Sequence, residues 1–370
     1  MPTSRPLIHL AILPFFLFVA CRDAPQPAGT RDTLAVRDTG PPAPPPWTPK
    51  PIVAKRAPRP ADTSAGAAGT DGADSAARTD SSARSARKRR EYRPMVLSPA
   101  DSAKWPVAGP APLPGALLPE HRIVAYYGNI RSTRMGILGQ IPRDEMLARL
   151  EETATAWAEA DPGRKVMPAL HLIATVAQGK PGAGGKYRLR MGDSLINEVA
   201  RWAEERGWIM FLDVQIGLST VEAELAPLVP FLARPYVHLA LDPEFAMTKG
   251  GIPGKRIGTL DARHVNYAVG LLANLVDSLD LPPKVLVVHR FTQPMLTNAS
   301  QIKLDPRVQV VIQMDGFGAP WLKQDAYKFF IVPEPVQYTG FKLFYKNDKP
   351  IMRPDQVIGL WPSPLYVQYQ

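Results

Sequence analysis

From residue 121 onward the chain repeats one alternation. A short, almost wholly apolar run is followed by a longer stretch with hydrophobic residues at helical spacing. The apolar runs fall at 122–128 (RIVAYYG), 166–174 (VMPALHLIA), 208–216 (WIMFLDVQI), 236–242 (YVHLALD), 284–291 (KVLVVHRF), 308–315 (VQVVIQMD), 340–345 (GFKLFY) and 365–369 (LYVQY). Their length and β-branched content predict strands, and continuous rather than alternating apolarity predicts strands covered on both faces. Helical periodicity is clearest over 143–160, 192–206, 219–233 and 261–279, and weaker near 294–302, 319–329 and 353–359.

Buried strands separated by helices predict a parallel sheet. Eight such units in about 250 residues fit a (β/α)8 TIM barrel. The eighth strand is the last element, so the barrel is expected to lack its final helix. An open doubly wound sheet is the alternative.

The strands end in polar residues where a core would place Val, Ile or Leu. Strand one runs into Tyr127 and Asn129, and strand two carries His171. Asp213 and Gln215 lie on strand three, Asp242 and Glu244 at the end of strand four, and His289 on strand five. Gln313 and Asp315 follow on strand six, Lys342 on strand seven and Gln368 on strand eight. Most fall two apart, which puts them on one strand face. The C-terminal strand ends are where TIM barrels carry their chemistry. His171 and His289 each read as well as buried, satisfied histidines, and Gln215 and Gln313 as braces for loops. Asp213, Asp242, Glu244 and Asp315 are harder to treat as packing, because neighbouring buried carboxylates repel and need protons or cations. Lys342 and Lys346 are candidate partners.

The first 118 residues differ in kind. The chain has 41 prolines, about twice ordinary usage, and they crowd this region. Residues 1–21 carry one basic residue, Arg5, then an apolar run from Leu7 to Ala20 that is short for a membrane span and reads as a secretory signal. Residues 22–118 include PPAPPPWTPKP and an Ala/Gly/Ser/Asp run. Such a composition buries too little apolar surface to offset chain entropy, so a disordered tether is expected there, with the barrel over 119–370. Net charge is +10. Residues 1–114 hold 16 Lys and Arg against 9 Asp and Glu, and the remainder 28 against 25. The basic excess belongs mainly to the tail, which removes the main argument for a nucleic-acid partner. The lone cysteine, Cys21, excludes an intrachain disulfide and a Cys-based zinc site.

Two resemblances add expectations. Phe18-Val19-Ala20-Cys21 resembles the lipobox of bacterial lipoproteins, with Phe18 where that family usually has Leu. It implies cleavage before Cys21, acylation of Cys21, and a chain anchored by lipid to the outer face of a bacterial membrane. The strand-end residues resemble glycoside hydrolase barrels, nearest the chitinase-like group of family 18. The matching positions are Tyr127, Asp242 with Glu244, Gln313-Met314-Asp315, and Trp361. Val237 and Ala240 stand where that group's strand-four signature has its first two acids, a departure that argues against chitinase chemistry proper. Glycosidic cleavage needs one carboxylic acid to protonate the leaving oxygen and a second carboxylate opposite it. The longer side chain of Glu244 makes it the expected acid, oriented by Asp242 and raised in proton affinity by the Asp242 charge. Asp213 or Asp315 would then be base, nucleophile or stabiliser, with Tyr127, Asn129, His171, Gln215, His289, Gln313, Lys342, Trp361 and Gln368 binding a glycan or other small polar substrate.

This reading calls for no cofactor and no metal. Two others stay open: a metal-dependent hydrolase using His171, Asp213, Glu244, His289 and Asp315 as ligands, and a non-catalytic carbohydrate-binding lipoprotein. The Gly-rich basic segment 248–259 (TKGGIPGKRIGT) reads either as a lid suited to an anionic substrate or as a long connection.

Overall fold

In the computed structural model, residues 46–54, 92 and 95–370 are described. Cys21 and the expected signal segment lie outside them. Eight parallel strands follow the order of the apolar runs: β1 (His121–Gly128), β2 (Lys165–Ala177), β3 (Ile209–Val214), β4 (Val237–Leu241), β5 (Lys284–Arg290), β6 (Val308–Met314), β7 (Tyr338–Leu343) and β8 (Tyr366–Tyr369). Each pairs with the next, and β1 also pairs with β8, so the sheet closes and the open alternative falls away. This is an α/β barrel of the TIM type.

Helices cover its outer face. Helix α1 (Arg143–Ala160) buries Met146, Leu147, Leu150, Ala154 and Trp157 along one stripe, with Asp144 and Glu145 in its first turn, where the helix dipole favours them. Helix α2 (Asp193–Arg206) stops at Gly207, whose φ of 66° suits glycine. The helix expected over 219–233 is broken. Helix α3 (Val221–Leu225) gives way to a 3-10 turn, Ala226–Leu228, and a last turn, Val229–Leu232. Pro227 and Pro230 lack the N–H groups a continuous helix would need. Helices α4 (Ala262–Leu279), α5 (Pro320–Phe330) and α6 (Pro354–Ile358) appear as expected, whereas 294–302 holds two 3-10 turns, Gln293–Met295 and Ala299–Gln301. Among the described residues, no helix is long and apolar enough to cross a membrane.

The tether expected over 22–118 is not uniform. Residues 46–54 lie against the barrel, with Ile52 bridging Val166, the Lys50 N–H donating to the Gly207 carbonyl at 2.8 Å, and Trp47 packed on Tyr236. Further on, Trp105 is buried and its indole donates to the Val332 carbonyl, and Gln309 Oε1 accepts from the Leu117 and Leu118 N–H groups. Tryptophans and leucines within a Pro-rich stretch supply enough apolar surface to dock it. They do so at the N-terminal ends of the strands, leaving the C-terminal ends to the loops.

The register brings the strand-end residues into lateral rows: Tyr127 beside His171, His171 beside Phe211, His289 beside Gln313, and Lys342 beside Gln368. Alternation sends Tyr126 the other way, where its hydroxyl meets Thr153 and Tyr345. Gly340 leaves room in the barrel, because a Cβ there would lie 3.1 Å from both the Gln313 side chain and the Tyr366 ring. Trp157 ties the outer layer together: it is fully buried, donates to the Tyr369 hydroxyl at 2.9 Å and lies under the Arg122 guanidinium. Trp157→Ala is expected to lower unfolding free energy by about 3–5 kcal/mol, measured by urea denaturation.

Candidate active site

The acid stretch begins where β4 stops. Asp242 follows Leu241 and caps a 3-10 turn, Pro243–Phe245, its Oδ1 accepting the Glu244 N–H at 3.0 Å. Pro243 ends the ladder, as a residue without an N–H must. The expectation that Asp242 and Glu244 share one strand face therefore does not hold. Asp242 turns into the barrel and is buried, while Glu244 sits on the turn and is partly exposed. The segment 248–259 is fastened to this turn at its far end, with Gly258 N–H donating to the Glu244 carbonyl at 2.6 Å and Thr259 N–H to the Ala246 carbonyl at 3.0 Å. Gly258 has to be glycine, because a Cβ there would lie 2.5 Å from the Pro243 oxygen.

Three of the four predicted acids and their partners meet inside the mouth. Gln215 Nε2 donates to Asp242 Oδ2 at 3.2 Å and to the Tyr127 hydroxyl at 3.3 Å, while its Oε1 accepts the Ala177 N–H. Asp315 joins His289 Nδ1 at 2.8 Å and Lys342 Nζ at 3.0 Å. The Lys342 ammonium also lies 3.9 Å from the Tyr127 ring centre, a cation–π contact. Lys342 is thus the cation partner expected for the acids. Asp213, fully buried, faces His289 Nε2 at 3.6 Å and His171 Nε2 at 3.7 Å.

Other predicted residues serve elsewhere. Asn129 bridges β1 to β2, its Nδ2 donating to the Ile173 carbonyl and its Oδ1 accepting the Arg131 N–H. Trp361 is exposed and lines a groove of about 440 Å³ with Trp105, Thr339 and Leu365. Thr339 and Leu365 lie where strands begin, so Trp361 belongs to the opposite end of the barrel and not to the carboxylate cluster. Gln313 is buried, and neither of its amide atoms has a hydrogen-bond partner. Gln368 holds His171, its Nε2 lying 3.0 Å from Nδ1.

Two further residues complete the site. Tyr366 places its hydroxyl 2.5 Å from His171 Nδ1, and Phe211 stacks on the His171 ring at 5.3 Å. Tyr366 lies two residues before Gln368 and therefore on the same strand face, a signal the period-two pattern carries. Phe211 reads as ordinary apolar core, and nothing in the sequence marks its role.

The environments separate the carboxyls. Burial lifts the Asp242 proton affinity, with the Asp213, Glu244 and Asp315 charges adding and His289 opposing, to about 8. Glu244 rises to about 7, first through burial and then through the Asp315 charge. Asp242 and Glu244 repel each other as a pair, and the Asp315 charge adds to the push on Glu244. For Asp315 itself, burial works upward but Lys342 and His289 outweigh it, and its affinity ends below the ordinary carboxyl range. Burial likewise opposes ionisation of Asp213, and the two imidazoles reverse it. His171 is pushed down by burial to about 4 and is neutral at pH 7, so its approach to Asp213 is not an ion pair. His289 goes the other way: burial is overcome by the Asp213 and Asp315 carboxylates, and the ring is raised to about 9. No family model, curated protein or solved structure matches the chain.

Between the ordinary carboxyl range and about pH 8, the folded chain keeps a proton on Asp242 that the unfolded chain releases. Stability therefore falls as pH rises through that window. The melting temperature of the wild type is expected to drop by roughly 2–4 °C or more between about pH 5 and pH 9, and Asp242→Asn to flatten at least half of that slope, as read by thermal denaturation at matched pH values.

Proposed function

We propose that the chain is a hydrolase of glycosidic bonds, with Glu244 as the proton donor and Asp315 as the ionised carboxylate that stabilises or attacks the positive sugar centre. Cleavage of a glycoside needs one carboxyl that keeps its proton and one that does not. The observation that carries the reading is this division at one mouth. Glu244 holds its proton to about 7, while Asp315, pinned between His289 and Lys342, stays ionised. Two carboxyls whose environments drive their affinities apart take opposite roles in acid–base chemistry. The partial exposure of Glu244 suits a donor that has to reach a leaving-group oxygen, and the burial of Asp242 suits a residue that fixes the turn beneath it.

Tyr127 and Lys342 offer an aromatic face and a cation beside Asp315, both suited to sugar hydroxyls. The basic residues Lys249, Lys255 and Arg256 lie on the segment fastened to the Glu244 turn, so an anionic envelope glycan is the substrate class this reading favours. Catalysis requires protonated Glu244, and activity should fall about tenfold per pH unit above roughly 7. Glu244→Gln should remove that limb and lower kcat by about 10²–10⁴-fold, measured on the fragment of envelope glycan the wild type releases. Full activity in Glu244→Gln would sink the proposal.

The proposal extends to location: acylated Cys21 anchors the chain at the cell envelope. Cys21→Ser is expected to move the protein from the membrane pellet to the soluble fraction of fractionated cells.

A further inference from the structure

The side chains at the centre of the barrel have a use that acid–base hydrolysis leaves unassigned. His171 Nε2, Asp213 and His289 Nε2 point at one another from β2, β3 and β5, and their ligand-type atoms all lie within 4.8 Å of one another. All three side chains are fully buried. Neither Nε2 has a hydrogen-bond partner, and neither does either oxygen of Asp213. A buried carboxylate with two unmatched oxygens is expensive, and the imidazoles that favour its ionised form make no hydrogen bond to it.

We propose that His171 Nε2, Asp213 Oδ2 and His289 Nε2 bind a divalent first-row transition-metal ion, with Zn²⁺ the best match. The distances distinguish an ion site from a hydrogen-bonded cluster. At 3.6 and 3.7 Å, the two N···O separations are too long for hydrogen bonds. They are close to the edge of a tetrahedron whose metal–ligand bonds are about 2.0–2.1 Å, an edge of roughly 3.4 Å. Two of the three ligand–ligand edges are thus within a few tenths of an ångström of that value, and the third, between the two imidazoles, lies within 4.8 Å. Imidazole and carboxylate are the ligand types such ions take.

The outer contacts of the rings fit as well. A metal-binding imidazole presents one nitrogen to the ion and anchors the other on an oxygen. Here His289 Nδ1 is held by Asp315 at 2.8 Å, and Asp315 is in turn held by Lys342 at 3.0 Å. His171 Nδ1 is held by the Tyr366 hydroxyl at 2.5 Å, beside the Gln368 amide at 3.0 Å, and its ring is clamped by Phe211. Asp315 and Glu244 do not join the cluster, so the five-ligand set open from the sequence contracts to three among the described residues. Three protein ligands leave a fourth position open to water.

The inference does not depend on the hydrolase reading, and its test reads metal rather than turnover. The purified full chain should carry about one equivalent of metal by elemental analysis. After stripping with chelator, it should take up Zn²⁺ or Co²⁺ one to one. Bound Co²⁺ should show the intense visible band of tetrahedral coordination, and Zn²⁺ at a hundredfold excess over Kd should raise Tm by roughly 5 °C or more. His171→Ala and Asp213→Asn should each weaken Zn²⁺ binding at least 100-fold. Should either fail to fold, Tyr366→Phe keeps the three ligands and should weaken binding by about 10–100-fold through the outer contact alone. Glu244→Gln should bind Zn²⁺ as the wild type does, even if its hydrolytic activity is lost. A folded chain that neither retains metal nor takes up Zn²⁺, Co²⁺, Mn²⁺ or Fe²⁺ would overturn the proposal, as would Zn²⁺ binding unchanged in all three variants.

Discussion

A carboxylate at the axis of a barrel has to be neutralised by its surroundings, and Asp213 imposes that requirement on the whole mouth. It is fully buried and accepts no hydrogen bond, so the positive field around it has to come from His289 at 3.6 Å and from Lys342, with the neutral His171 ring turned to it at 3.7 Å. Drawing His289 toward Asp213 turns its Nδ1 toward Asp315, and Asp315 then engages Lys342. Lys342 in turn sits on the face of Tyr127, whose hydroxyl reaches Gln215 and through it Asp242. One buried charge thus orders side chains from seven of the eight strands or their ends. A half-satisfied polar network costs more than an apolar core, so such a set persists only where each member supports the next.

The same electrostatics divides labour among the acids. Carboxyls of one chemical type end up with different proton affinities, because Asp315 has a lysine and an imidazole within 3.0 Å while Asp242 and Glu244 face mostly burial and negative neighbours. Stability is surrendered in keeping Asp242 buried, and what it secures is the turn that carries Glu244. The rigid part of that turn is covalent as much as electrostatic. Pro243 stops the strand, the Asp242 cap sets the first turn, and Gly258 lets the returning loop approach backbone to backbone.

The opposite end of the barrel serves stability. Residues 46–54 and 95–118 dock on the strand starts through Trp47, Ile52, Trp105 and the two leucines at 117 and 118. One buried cation there, Lys284, donates to the Arg234 and Val237 carbonyls rather than to an acid. Sealing this end with apolar chain while crowding the other with charge is the asymmetry that assigns stability to one face of a TIM barrel and chemistry to the other.

The sequence by itself determined the eight strands, their order and most helices, because burial of a strand on both faces and of a helix along one stripe are periodic demands that residue types must meet locally. It also marked the polar strand ends, since His, Asp, Gln and Lys in apolar runs break that demand. Pro227 and Pro230 already contained the break in the 219–233 helix, had their missing N–H groups been weighed against the periodicity. What only the tertiary structure decided was which of those polar groups meet. Trp361 goes to the far end, and Asn129 spends its amide on the β1–β2 corner. Trp105 docks in a stretch whose composition reads as disordered, and Phe211 becomes the plate beneath a histidine. The two acids read as a strand-face pair separate, one into the barrel and one onto its rim. Closure and stagger set these meetings, and both are properties of eight strands pairing at once, which no local stretch of sequence contains.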